Sequence, residues 1–106
     1  MAWVWLVSAG VLEVCFAVFL KLSEGFTKPL YTAAFVVAAA LSFYFLTRAL
    51  EGIPVGTAYA VWTGIGAVGV VLFGIVFFGE PVSFLRLFFI STLVVSVVGL
   101  KIISPS

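Results

Sequence analysis

The sequence predicts an all-α integral membrane protein with four transmembrane helices. Three observations carry this. The chain has 106 residues, of which 65% are hydrophobic and only 8% charged, against about 25% charged in a soluble domain. Its apolar residues gather into four stretches, each near the roughly 20 residues that cross a bilayer as helix. Its charges and helix-breaking residues fall mainly between those stretches. So few charges cannot cover a water-facing surface, which excludes a soluble domain and a disordered chain. A net charge of +1 excludes a basic nucleic-acid binder, and no nucleic-acid partner is expected. With no His and a single Cys, no metal site, cofactor or internal disulfide is expected.

The first stretch runs over residues 3–20. It lacks the basic start and short core of a removable signal, so it is expected to be a retained helix. Lys21 to Pro29 follow as a polar turn. The second stretch, 30–49, ends at Arg48, Glu51, Gly52 and Pro54. The third covers 55–78 and stops at Gly79-Glu80-Pro81. The fourth covers 84–103. Membrane strands would need about ten residues of in/out alternation, and these stretches are longer and apolar all round. Connections this short make consecutive helices neighbours in an up-down bundle, a single domain over 1–106 with any function inside the membrane.

Orientation is weakly specified. Arg48 and Lys101 fall on one side of the membrane, and Lys21, Lys28 and Arg86 on the other. The positive-inside rule needs a clear Lys/Arg excess. A small protein with few charges and a chain that inserts both ways explain this split equally well.

Glu13 is the residue that a membrane helix should not contain. It lies near the middle of the first stretch, where a charge costs at least about 2.5–3.5 kcal/mol. Lys21, Glu24, Lys28, Glu51, Glu80 and Arg86 sit at span ends or in connections and read as solvated or snorkelling groups. No basic residue lies at the depth of Glu13. A lone carboxyl there holds a proton in dry surroundings and exchanges it for an arriving cation. The competing reading is a protonated strut between helices in a membrane subunit that transports nothing. An enzyme is not expected, for want of a second carboxyl or a nucleophile–base pair at that depth.

Several residues can meet Glu13. Gly10 and Phe16 are its neighbours one turn away on the same helix. Ser42 is the hydroxyl near the middle of the second stretch, followed by Phe43 and Tyr44. Tyr59 and Trp62 share a face of the third. They can wall a cation pocket, or belong to the aromatic belt of the membrane interface. Gly64, Gly66, Gly69 and Gly74 make the third helix easy to bend and to pack. Four helices enclose little space. A second copy in the opposite orientation would bring Glu13 of each chain to the midplane and present equivalent halves to both sides, the logic of an inverted repeat.

With Glu13, Ser42 and the run Pro54 to Gly69 in view, the chain resembles the small multidrug resistance family over essentially its whole length. Leu20 to Thr27 is similar to that family's first connection. Trp62-Thr63-Gly64-Ile65-Gly66-Ala67-Val68-Gly69 and Gly99-Leu100-Lys101 resemble the guanidinium-exporter branch. The resemblance implies an antiparallel, dual-topology homodimer in the inner (plasma) membrane that exports small cations against protons. It implies guanidinium or substituted guanidinium as substrate, with a broader range of quaternary and hydrophobic cations as the alternative. It implies that two Glu13 carboxyls form the shared proton and substrate site, with Ser42, Tyr59 and Trp62 at binding positions and Gly10 at a small position beside them. Gly64 and Gly66 match a hinge in the third helix, and Ser96 and Gly99 match dimer contacts in the fourth. Phe16 departs from the pattern. The guanidinium branch usually carries Trp there, whose N–H can reach the central carboxylate, and Phe cannot donate.

Overall fold

The computed structural model describes residues 1–103. Within them lie four helices long and apolar enough to cross a membrane: α1 (Ala2–Leu22), α2 (Pro29–Ala49), α3 (Val55–Phe77) and α4 (Phe84–Ile103). The apolar stretches set the bodies of these helices, and local chemistry sets their ends. α1 runs through Lys21 into Leu22 instead of stopping at Leu20. A lysine in the last turn complements the helix dipole while its ammonium reaches out of the apolar layer. Ser23, fully buried, then closes the helix. Its hydroxyl donates to the Leu20 carbonyl at 2.7 Å and accepts from the Phe26 N–H at 3.2 Å. These bonds hold a left-handed run at Glu24, Gly25 and Phe26, with φ of 49°, 74° and 69°. Pro29 begins α2, where its fixed φ suits the first turn. α3 starts after Pro54 and ends at Phe77, one residue short of its expected bound, because the chain turns at Phe78 and Gly79.

The four helices do not close into a bundle. α1 packs along α2 on one side and α3 on the other, and α4 packs on α3 alone. α2 and α3, though consecutive, barely touch, so the expectation that every consecutive pair would be neighbours fails at this step. The turn Glu51-Gly52-Ile53-Pro54 carries the chain past the start of α1, with Gly52 against Ala2 and Ile53 buried in the core. The result is a slab of 43 × 35 × 16 Å, in the spatial order α2–α1–α3–α4.

Small side chains explain why α1 is central. Lipid tails are as apolar as leucine, so helices associate where backbones can approach closely. The buried positions are mostly small: Ala9 and Gly10 on α1, Ala38, Ser42 and Ala49 on α2, and Ala58, Gly64, Gly66 and Gly74 on α3. Leu6, Ile53, Val61 and Trp62 fill the remaining space. α4 has no buried residue.

Each connection carries an ion pair of its own. Lys28 meets Glu24 at 3.5 Å and Arg48 meets Glu51 at 3.4 Å. Arg86 meets Glu80 at 2.6 Å and also donates to the Pro81 carbonyl at 2.8 Å. The Glu80 carboxyl lies against Gly74, and the Glu80 N–H bonds the Gly74 carbonyl, which folds this turn back onto the end of α3.

Candidate functional site

The centre of the slab is where α1, α2 and α3 come together around three polar side chains. Ser42, fully buried on α2, donates its hydroxyl hydrogen to the Ala9 carbonyl of α1 at 2.7 Å. The Trp62 indole N–H of α3 donates to the Ser42 oxygen at 3.0 Å. One hydroxyl thus ties three helices at one level. A carbonyl has a second lone pair, so Ala9 can accept this bond without giving up its helical one.

Glu13 lies one helical turn beyond Ala9 on α1. Its side chain crosses to α3 and rests on Gly66, where a Cβ would collide with the carboxyl group. One carboxyl oxygen is buried and has no hydrogen-bond partner among the described residues. Buried oxygens without partners are uncommon, because leaving one unsatisfied costs about 1–3 kcal/mol. The nearby donors are engaged elsewhere, Ser42 with Ala9 and Trp62 with Ser42. The geometry therefore sets a buried acceptor one helical turn from a rigid polar anchor.

The aromatic side chains form a continuous stack across this region. Phe26 packs on Phe35, Phe35 on Phe16, Phe16 on Phe43, Phe43 on Trp62 and Trp62 on Tyr59, with ring centroids 5.5–6.1 Å apart. Phe16 is thus an apolar member of a ring stack shared with α2. Tyr59 is 58% exposed, and its ring lies beside Trp62. Phe43 joins Phe16 to Trp62 and is half-exposed. Of the two aromatics that follow Ser42 in the sequence, Phe43 enters this stack, and Tyr44 packs on Trp5 and Phe45.

The remaining candidates fall into two groups. Gly10 takes the Ile65 side chain of α3, so its small size serves the α1–α3 contact. Gly64 receives Val97 of α4. Gly64 and Gly66 lie in an uninterrupted helix, and each admits a neighbour that any larger residue would displace. On α4, Ser96 is exposed, and a Cβ at Gly99 would meet nothing within 4 Å among the described residues. This face of α4 is open to a further helix.

Comparison with known proteins gives a consistent result. The family description "Small Multidrug Resistance protein" matches residues 1–93. A guanidinium exporter of Yersinia pseudotuberculosis is 46% identical over 104 residues, covering 98% of this chain and 100% of that one. A guanidinium exporter of Escherichia coli K12 is 46% identical over 102 residues, covering 96% and 97%. A probable guanidinium efflux system subunit of Bacillus licheniformis is 43% identical over 104 residues, covering 98% and 100%. Similarity of this extent, over a chain with four membrane-crossing helices and a carboxyl buried among them, leaves one assignment: the chain belongs to the small multidrug resistance family.

Proposed function

We propose that this protein exports guanidinium-type cations across the bacterial inner membrane in exchange for protons, as an antiparallel homodimer whose two chains insert in opposite orientations. The observation that carries the reading is the partnerless Glu13 oxygen buried at mid-helix against Gly66. An acceptor in that state gains most from a proton or from a cation with N–H donors, and one carboxyl cannot be fully satisfied by both at once. Competition for a single group is sufficient for exchange. A guanidinium ion presents its N–H donors in a plane, and carboxylates accept them in fork geometry. Two Glu13 side chains, one from each copy, supply acceptors on both edges of that plane. The Ser42–Trp62 pair fixes the helices that carry them. The relatives named as guanidinium exporters support the substrate class. The nearly even Lys/Arg split between the two sides supports the dual insertion.

Phe16 favours substituted cations alongside guanidinium itself. It brings a ring and no donor to the turn next to Glu13, in contact with Phe35 and Phe43. Alkyl or aryl groups on the cation find an apolar stack there.

The deciding experiment is proton–guanidinium exchange by Glu13→Gln in proteoliposomes. Gln keeps the volume and hydrogen-bonding reach but cannot ionise. Exchange should be abolished while the variant still folds and dimerises. Exchange at the wild-type rate would remove Glu13 from the site, and absence of proton flux in the wild-type protein would favour the non-transporting strut.

A further inference from the structure

A second feature of the slab lies away from the carboxyl. Because α1 and α4 both pack on α3 and not on each other, a groove of about 640 Å³ is left between them. Val11, Cys15, Val18 and Leu22 of α1 form one wall, Val94 and its neighbours on α4 the other, and α3 supplies the floor up to Phe73. Among the described residues, no charged or hydroxyl-bearing side chain lines it.

Three properties identify what fits. The first is its face. At roughly 100° per residue, these four lie about 140–200° around the helix from Glu13, and Val14 and Phe19, which also line the groove, about 100° and 240°. The groove is therefore centred on the side of α1 opposite the carboxyl. The second is its length. From Val11, at the depth of Glu13, to Leu22, at the helix end, the rise is about 16 Å at 1.5 Å per residue, and half of the hydrocarbon core is roughly 15 Å. The groove reaches from the bilayer centre to one interface, the span of one leaflet. The third is its mouth. Phe73 stacks on Phe78 at 5.6 Å, and the Lys21 ammonium stands 5.0 Å from the centre of the Phe78 ring. The other charges on the connections at this end are paired, Glu80 with Arg86 and Glu24 with Lys28. Lys21 is thus the cation that sets the local sign at the groove's outer end.

We propose that this groove holds one acyl chain of an anionic phospholipid, with the headgroup phosphate against Lys21. The chain follows α1 from the interface to the midplane, covers the apolar floor and holds α4 at its distance from α1. The site does not depend on which cation is transported, because it lies on the other face of α1.

The test uses the full chain, purified in mild detergent and titrated with phosphatidylglycerol or phosphatidylcholine of the same acyl chains, with retained lipid counted by native mass spectrometry. One phosphatidylglycerol per protomer should be retained, preferred about fivefold over phosphatidylcholine, the weight of one lysine near an anionic lipid. Lys21→Gln should remove the preference, and Val18→Phe or Val94→Phe, which fill the groove, should remove the retained lipid. Should a filled variant not fold, Lys21→Gln, at an exposed position, decides alone. The proposal is overturned if wild type retains no lipid, or if Lys21→Gln keeps the preference. It is also overturned if folded groove-filling variants keep the lipid. A disulfide between Cys15 of two copies, formed on oxidation in vesicles, would overturn it too, since a second chain would then occupy the groove.

Discussion

Gly66 lies against the Glu13 carboxyl and Phe16 lies one helical turn from it on α1, and each position offers a substitution that tests the site. A methyl at Gly66 would occupy the place of the Glu13 carboxyl. An overpacked contact of this kind costs about 1–3 kcal/mol, and here the carboxyl is the group with freedom to move. Gly66→Ala should therefore weaken guanidinium binding roughly five- to a hundredfold, with helix content unchanged by circular dichroism. Binding within twofold of wild type would mean the carboxyl does not use this position. At Phe16 the expected change is in selectivity. A hydrogen bond to a charged group is worth about 1.5–3 kcal/mol, and Phe16→Trp offers one. The ratio of transport currents for guanidinium over phenylguanidinium or tetrapropylammonium should rise roughly tenfold to a hundredfold. An unchanged ratio would move selectivity from position 16 to the segment around Trp62. Glu13, Ser42 and Trp62 were legible in the sequence because polar atoms are rare at mid-span. The bond from Ser42 to the Ala9 carbonyl was not, since every residue has a carbonyl and its neighbours do not mark which one will accept.

Among the elements, the first connection shows how a short turn can hold an unfavourable backbone. Glu24 and Phe26 adopt left-handed φ without being glycine, a conformation costing roughly 1–2 kcal/mol per residue. Ser23 holds them through its hydroxyl and through its carbonyl, which accepts the Thr27 and Lys28 N–H groups. Ser23→Ala removes the hydroxyl bonds from a buried position. It should lower stability by about 1–2 kcal/mol, seen as a lower melting temperature in detergent with transport selectivity intact. A melting temperature equal to wild type would assign the turn to Gly25 and the backbone alone. The bodies of the helices were readable from composition, because an apolar run of this length has one stable form in lipid. Their neighbours were not. The order α2–α1–α3–α4 depends on which small residues face which, and Ala and Gly occur on several faces of every helix. The expectation that α2 and α3 would be neighbours came from loop length, which limits distance but does not dictate contact.

For the molecule as a whole, the open face of α4 and the flat slab are the features that a partner copy would complete. The proposed dimer makes a prediction about insertion. Arg48 and Lys101 oppose Lys21, Lys28 and Arg86, so two lysines added after the last residue should reverse the balance and bias the chain to one orientation. Expressed alone, that variant should lose most of its transport, and an oppositely biased copy should restore it. Cysteine-accessibility labelling reports the orientation directly, and a single orientation for the unmodified chain would contradict the dual insertion.

The three ion pairs in the connections have an evolutionary consequence. Glu24 with Lys28, Arg48 with Glu51 and Glu80 with Arg86 pair within single connections, and the basic residues divide two against three between the sides, so no clear Lys/Arg excess distinguishes the two. A gene in this condition is poised for division of labour. After a duplication, a lysine or two in each copy would commit one product to each orientation. Neither copy could then be lost without the other, and each half of the site would be free to diverge. The symmetric site of the proposed dimer, encoded once, could in this way become an asymmetric one encoded twice, by changes confined to the turns and without a substitution at Glu13.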